Sequence, residues 1–321
     1  MLQLREYFAK FSLRKFGLVV RTIVLAIGLL GRVELSIAQQ EGQKTFPSPE
    51  EASSALFTAI QKNDLPVHLE ILGPAGKDII SSGDTVEDQR GRERFVRKYQ
   101  EMHRLAPGAD GTTVLYIGAE NWPFPIPLVN RGGAWFYDTE AGRQEILFRR
   151  IGRNELTAIR VCSELAEAQK EYFAQSHDGD PVNQFAQKFK SDKGKHNGLY
   201  WKPAPGTPES PIGPLLANAE KKGYPKTRRA VLMPFEGYYY RILTGQGGNA
   251  PGGMKSYISE GKMIGGFAIL AYPAEYRVSG VMSFVVGQDG VVYQKDLGPD
   301  TETLAKALSE YDPDSSWQKA E

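Results

Sequence analysis

The sequence has little of three features that define large classes of protein. Its 321 residues include one cysteine, Cys162, which excludes an intramolecular disulfide framework and a cysteine-rich zinc site. Its 39 basic and 38 acidic side chains nearly cancel, which argues against a nucleic-acid partner bound through many phosphates. No apolar run reaches the roughly 20 residues that span a bilayer. With these classes excluded, the 41% of hydrophobic residues indicates an ordinary globular protein.

Catalytic signatures are also missing. The sequence contains no G-x-S-x-G nucleophile elbow, no H-E-x-x-H zinc helix and no G-x-x-x-x-G-K-[ST] phosphate loop. The glycine-rich run 245–253 has no strand and helix around it, so it is not a dinucleotide fingerprint, and we expect an exposed loop there.

The first 38 residues have the layout of a secretory signal. Six basic residues stand against Glu6 and Glu34, an apolar run covers 22–31, and Ser36-Ile37-Ala38 precedes Gln39. We expect cleavage after residue 38 and a periplasmic or secreted protein with no stable membrane insertion. The alternatives are an uncleaved anchor or a misassigned start codon.

Residues 45–152 are expected to form an α+β domain with helices wrapped on a curved antiparallel sheet. Ser48 with Glu51 forms a capping box, a second helix follows Asp64, and a third runs from about Val86 to Leu105. Strands are predicted over 112–118, 126–130 and 134–138.

Residues 153–321 are expected to form a second α+β domain, a long helix packed on an antiparallel meander. The proline-free stretch 139–176 predicts two helices, the second capped by Asn154. A short helix over 182–189 and a helix capped by Ser210 follow. Strands are predicted over 237–244, 266–272, 281–286 and 291–295.

Six phrases spread over the chain carry a resemblance to a known family. They are FPSPEEA (46–52), NWPFPIPLV (121–129), RRIGRNE (149–155), KHNGLYW (195–201), MIGGFA (263–268) and QDGVVYQKDLG (288–298). The chain from Thr45 onward resembles the bacterial exported family catalogued as domain of unknown function 2950. That resemblance implies an exported protein and carries no established activity.

Each expected domain also resembles a fold. The first is similar to a nuclear-transport-factor-2-like cone, which implies a pocket between helices and sheet. The second resembles the head of a type II secretion pseudopilin, through its helix, Tyr272-Pro273, Gly280 and Asp289-Gly290-Val291. It departs from a pilin because no apolar assembly helix precedes Glu155.

Candidate ligand-binding residues are mostly aromatic. His196 is the histidine whose surroundings, next to Gly198–Trp201, are typical of a site. One face of strand 237–244 is expected to form an exposed stacking surface for a glycan, peptide or protein, together with Arg241, Tyr272, Tyr276 and Trp201. Core packing is the alternative. The candidates are His196, Trp201, Tyr239, Arg241, Tyr272 and, in the pocket of the first domain, Trp122.

A metal site is expected at most in one loop. Asp178 and Asp180 alternate after a helix, a spacing that could place hard oxygens around calcium. The alternative is a solvated turn. We expect no other cofactor.

These observations favour a non-catalytic binding or interaction module of the bacterial cell envelope, with an envelope protein or glycan as partner. Two alternatives stay open. One is an envelope-acting hydrolase that uses His196 with a carboxylate and Trp201 in one cleft. The other is an accessory to a secretion or surface assembly.

Overall fold

The computed structural model of the chain describes residues 39–108, 111–203, 209–225 and 233–320. The expected signal segment, 1–38, lies outside them. The helices of the described residues are α1 (Pro49–Gln61), α2 (Leu65–Leu72), α3 (Lys77–Ile80), α4 (Thr85–Glu101), α5 (Thr139–Phe173), α6 (Gly213–Lys221) and α7 (Thr301–Ala307). The strands are β1 (His103–Pro107), β2 (Thr113–Ile117), β3 (Trp122–Pro123), β4 (Leu128–Arg131), β5 (Ala134–Tyr137), β6 (Tyr238–Leu243), β7 (Gly245–Gln246), β8 (Lys255–Ser256), β9 (Ile258–Ser259), β10 (Lys262–Met263), β11 (Ala268–Pro273), β12 (Met282–Val286), β13 (Val292–Asp296), β14 (Glu310–Tyr311) and β15 (Gln318–Lys319). The predicted α+β class is confirmed.

Helices precede an antiparallel sheet in the N-terminal half. The strand order is β1-β2-β4-β5, with β3 paired to β2. Helices α1 and α2 pack on β5, and α4 packs on β2. Leu56, Leu115 and Tyr137 are completely buried between these layers.

Side-chain caps start the first helices as their sequence signals predict. The Ser48 hydroxyl accepts a hydrogen bond from the Glu51 backbone N–H (3.1 Å), with Pro49 as the first helical residue. Asp64 caps α2 in the same way. The end of α4 was predicted too late, because the chain turns extended at Met102 and residues 103–107 pair with β2. Strand pairing here overrides helix periodicity.

The prediction of two helices over 139–176 is wrong. Helix α5 is a single helix of 35 residues that passes through Gly152 and Asn154. The Asn154 side chain does not cap a helix; its Nδ2 donates to the Ser279 carbonyl (2.9 Å). Packing of α5 against β11, β12 and α3 compensates for the low helix propensity of Gly152.

The C-terminal half is a five-stranded antiparallel sheet in the order β15-β13-β12-β11-β6. Helix α5 packs on β11 and β12, and α7 packs on β11. Cys162 on α5 is fully buried in this core, where burial raises the pKa of its thiol. The predicted long helix on an antiparallel meander is therefore present.

One predicted helix and one predicted helix cap in this half are wrong. Residues 182–189 form no helix, because their backbone groups bond elsewhere. The Gln169 side chain on α5 donates to the Ala186 carbonyl and accepts from the Ala186 N–H, both at 2.8 Å. The Phe185 N–H donates to the Met263 carbonyl. Helix α6 begins at Gly213, and the Ser210 side chain makes no capping hydrogen bond.

The glycine-rich run 245–253 is more ordered than expected. Gly245 and Gln246 form β7, which pairs with β8 and β14 in a small separate sheet. The Asp312 carboxylate accepts hydrogen bonds from the backbone (2.8 Å) and side chain (2.9 Å) of Asn249. A distant carboxylate thus satisfies backbone groups that the local sequence leaves free.

Residues 39–321 form one compact unit. It contains two hydrophobic clusters, one drawn from residues 46–146 and the other from residues 158–320. The division into domains at residue 152 stays a prediction. Across the described ranges, no helix is both long and apolar enough to cross a bilayer.

Candidate functional site

A cavity of about 450 Å³ lies between the helices and the sheet of the N-terminal half. We call it the N-terminal cavity. Its apolar lining consists of Ile60, Leu72, Ile79, Ile80, Phe95, Ile117, Trp122, Phe124, Pro125 and Ile146. Its charged and titratable lining consists of His68, Glu87, Asp88, Arg92, Arg94, Lys98, Arg149, Arg150 and Arg153. An apolar pocket with a few polar groups is the usual form of a small-molecule site.

Three aromatic rings that line the N-terminal cavity contact one another. The ring of Phe124 meets those of Phe95 and Trp122 edge-on, with centroids 5.6 and 6.3 Å apart. The backbone N–H of Phe124 donates to the Leu115 carbonyl (2.7 Å), which attaches Phe124 to β2. These contacts hold the apolar side of the cavity in place.

His68 is a buried polar group of this lining. Helix α2 carries it, and it is 6% exposed. Its Nδ1 atom is buried and has no hydrogen-bond partner among the described residues. Burial, with the nearby charge of Arg92 as a second cause, lowers the pKa of His68 to about 4. The imidazole is therefore neutral at pH 7.

Arg92 on α4 is the cation whose charge, second to burial, lowers the pKa of His68. Its terminal nitrogen donates to the Gln89 side chain (3.0 Å), but its Nε is buried and unpartnered within the described part of the chain. No ion pair joins Arg92 to a carboxylate in that part. A guanidinium so placed can still give a charge-assisted hydrogen bond to an anion.

Arg150 extends the basic lining from α5. It donates to the backbone carbonyls of Asp78 and Ile79, both at 2.6 Å. Burial lowers its pKa, and the next cause, the charge of Asp88, raises it. The Asp78 carboxylate itself pairs with Arg143. Arg150 thus keeps its charge among neutral carbonyl partners.

The two acids of the cavity are already engaged. Glu87 is 8% exposed and pairs with Arg90 (2.8 Å) and Arg153 (3.4 Å). Asp88 accepts hydrogen bonds from the backbone and hydroxyl of Ser82. The cavity therefore combines apolar walls with an excess of positive charge.

The predicted ligand residues fall in three separate places. Trp122 lines the N-terminal cavity. His196 and Trp201 lie together in the C-terminal half, with ring centroids 4.7 Å apart. Tyr239, Arg241 and Tyr272 lie on the large sheet. Their roles in binding stay predictions.

The surface expected around strand β6 is not exposed. Tyr272 is 4% exposed, and its ring lies 5.4 Å from that of Tyr239, its direct partner across β6 and β11. Arg241 donates to the carbonyls of Ala305 (2.5 Å) and Lys306 (2.9 Å) at the end of α7. Helix α7 covers this face, an arrangement that the pattern of β6 alone does not reveal.

The predicted calcium ligands have protein partners. Both Asp178 oxygens accept from the His196 backbone N–H, each at 2.9 Å. Asp180 accepts from Lys262 (2.6 Å) and the Val182 backbone (3.0 Å). No cluster of three or more metal-ligating side chains occurs in the described ranges. Calcium binding at this loop stays a prediction.

Sequence reasoning missed His68 and Arg92. His68 resembles a spacer in a short amphipathic helix, and Arg92 lies in a helix crowded with charge. The available signal was weak: a histidine on the apolar side of α2, between Leu65 and Ile71. Helix α1 packs against both α2 and α4, and this tertiary arrangement brings the two side chains to one cavity.

The comparisons with known proteins identify a family without an activity. The model of the family described as protein of unknown function (DUF2950) matches residues 43–320. No curated protein matches the chain, and no solved structure does. Since the match covers most of the chain, including both halves of the fold, the chain belongs to the DUF2950 family of proteins of unknown function.

Proposed function

We propose that this chain is a non-catalytic binding protein of the bacterial cell envelope, and that its N-terminal cavity holds an organic anion with an apolar body. One observation carries the proposal: His68 Nδ1 and Arg92 Nε are both buried and unpartnered at the lining of a cavity that combines apolar walls with an excess of basic residues. Native proteins satisfy nearly all buried polar atoms, so two unpartnered atoms in the lining of one cavity call for a partner that enters it.

The chemistry of the two groups defines the ligand class. An unsatisfied buried polar atom costs about 1–3 kcal/mol. A bound oxygen atom recovers this cost by accepting a hydrogen bond from Arg92 Nε and from His68 Nδ1 in the tautomer that is protonated there. Arg92 and Arg150 supply positive charge, so the polar end of the ligand is a carboxylate or sulfonate. Ile117, Phe124 and Trp122 match rings or branched alkyl groups.

Naphthalene-2-sulfonate is a suitable probe, because it joins one anionic group to two fused apolar rings. We expect it to bind the purified chain with one-to-one stoichiometry in isothermal titration calorimetry. Its neutral analogue naphthalene-2-methanol should bind at least about tenfold more weakly, since hydrogen bonds to charged groups contribute about 1.5–3 kcal/mol.

A matched pair of variants on α4 tests the site. Arg92→Gln removes the lining cation whose Nε is buried and unpartnered, and it should weaken sulfonate binding about tenfold. Arg97→Gln removes an exposed cation of the same helix that does not line the cavity, and it should leave binding unchanged. Equal effects of the two substitutions would contradict the proposal.

The envelope location rests on the signal-like segment 1–38. Expression with a C-terminal tag, followed by osmotic shock and N-terminal sequencing, tests it. We expect release in the periplasmic fraction and a mature chain that begins at Gln39. A cytoplasmic chain that begins at Met1 would refute the location. In vivo cross-linking in that compartment would identify an envelope protein or glycan partner.

A hydrolase at His196 is the second candidate function. Its Nδ1 lies 3.6 Å from Asp178 Oδ1, and Trp201 lies beside the same ring. This gap exceeds a hydrogen bond, so the pair would have to close in the presence of substrate. Turnover of envelope peptides or glycans that His196→Ala abolishes would favour this function over the binding protein.

A further inference from the structure

Two adjoining cavities lie in the C-terminal half, and neither shares a lining residue with the N-terminal cavity. The first, which we call the apolar cavity, has a volume of about 120 Å³. Val161 and Leu165 of α5, Leu215 and Leu216 of α6, and Tyr240 of β6 line it. An apolar cavity of roughly this size can hold a benzene-sized group.

The second, which we call the lysine cleft, is about 1100 Å³ in volume and reaches the surface beside α6. Lys190, Tyr200, Leu216 and Glu220 line both spaces, so the two adjoin. An elongated ligand could therefore lie with one end in each.

Positive charge predominates in the lysine cleft. Its lysines are Lys190, Lys193, Lys195 and Lys202, and its acids are Asp192, Glu209 and Glu220. Asp192 already pairs with Lys188 (2.6 Å) outside this lining. Among the described residues no ion pair joins Lys193, Lys195 or Lys202 to a carboxylate. These three cations are thus available to an anion.

Ser210 provides the second observation that points to a ligand. It lines the lysine cleft, is 2% exposed, and its hydroxyl has no hydrogen-bond partner within the described part of the chain. It stands just before α6, a helix of nine residues whose first residue, Gly213, also lines the cleft. The Gly213 N–H already donates to the Ser210 carbonyl (2.7 Å), and Pro214 has no N–H, so the buried hydroxyl is the group that favours an oxyanion here.

We propose that the lysine cleft and the apolar cavity together bind a single-chain anionic amphiphile, with its phosphate head at Ser210 and its hydrocarbon end between α5 and α6. The head satisfies the Ser210 hydroxyl and is attracted by Lys193, Lys195 and Lys202. The chain end fills an apolar space that water occupies poorly. This site is independent of the function proposed for the N-terminal cavity.

Octyl phosphate, inorganic phosphate and octanol separate the two parts of this ligand. In isothermal titration calorimetry of the purified chain, below the micellar concentration of octyl phosphate, we expect octyl phosphate to bind at least about tenfold more tightly than either of the others. Equal binding of inorganic phosphate would reduce the site to an anion site, and equal binding of octanol to an apolar one. Either result, or no binding of octyl phosphate, overturns the proposal.

Variants locate the binding. Ser210→Ala and Lys202→Glu should each weaken octyl phosphate binding about tenfold. Leu215→Trp should lower the affinity for octyl phosphate to that for inorganic phosphate by filling the apolar cavity. Lys221→Glu, at an exposed lysine of α6 that lines neither space, is the control and should bind as the unsubstituted chain does.

One outcome separates this site from the N-terminal cavity. Octyl phosphate binding should persist in Arg92→Gln and be weakened in Lys202→Glu. The reverse pattern would place the amphiphile in the N-terminal cavity and overturn the proposal. If Leu215→Trp does not fold, as judged by circular dichroism, Lys202→Glu decides the question, because an exposed lysine contributes little to folding.

Discussion

Burial of a neutral His68 makes the stability of this protein depend on pH. The folded-state pKa is about 4, against 6.5 in the unfolded chain. Between these values the unfolded chain binds a proton that the folded chain excludes, so the stability associated with neutral His68 is present above pH 6.5 and is lost as the pH falls towards 4. At pH 4.5 the loss from this one group amounts to about 2.5 kcal/mol relative to pH 7.5.

Urea unfolding at pH 7.5 and 4.5, followed by far-ultraviolet circular dichroism, measures this loss. The unsubstituted chain and His68→Gln are compared, since glutamine is polar and does not titrate. We expect the loss of unfolding free energy between the two pH values to be about 2.5 kcal/mol smaller in His68→Gln. The control is His103→Gln, at an exposed histidine of the same half, which should retain the full loss.

The comparison isolates His68 because all other titrating groups are common to both proteins. An equal loss in His68→Gln and in the unsubstituted chain would refute the reasoning, since it would mean that His68 is protonated in the folded state. That result would also remove the neutral imidazole from the N-terminal cavity and weaken the ligand class proposed for it.

Two further predictions concern α5. The fully buried Cys162 should resist a thiol reagent in the native protein and react at once in denaturant; rapid labelling of the native chain would contradict its placement in the core. Gly142→Ala should lower the free energy of unfolding by about 1–3 kcal/mol, because a Cβ there would lie 2.6 Å from the Pro125 carbonyl oxygen and 2.8 Å from Ile126 Cα. Gly152→Ala, on the same helix with open space around it, should raise that free energy by about 0.5–1 kcal/mol, and similar effects at both glycines would refute this account.

Local signals predicted the elements that local chemistry determines. Ser48 and Asp64 cap helices because a side chain a few residues away satisfies the first free N–H groups. Strands β6, β11, β12 and β13 each lie within a residue or two of the predicted runs. β-Branched and aromatic residues between glycine turns are a strong signal for such strands.

Predictions failed where a distant residue supplies the hydrogen bond. Asn154 is a good helix cap in isolation, yet Ser279, 125 positions away, accepts its side-chain bond. Gln169 takes the backbone groups of Ala186 and prevents a helix there. Asp312 similarly orders Asn249 in the glycine-rich run.

The candidate sites show the same division. His196 and Trp201 were predicted as one group because they are close in sequence, and they are also close in space. His68 and Arg92 are far apart in sequence and each has an ordinary local setting, so their shared cavity depends on how α2 and α4 both pack against α1.

The sequence by itself determined the α+β class, the Ser48 cap of α1, the main strands and the family, because these depend on periodicity, local capping chemistry and short phrases. Only the tertiary structure decided which polar atoms are left without partners and which cavities they line. Burial and hydrogen-bond satisfaction depend on residues brought together from distant parts of the chain, so no local pattern records them. The unpartnered atoms of His68, Arg92 and Ser210 are such features, and they carry the two binding proposals.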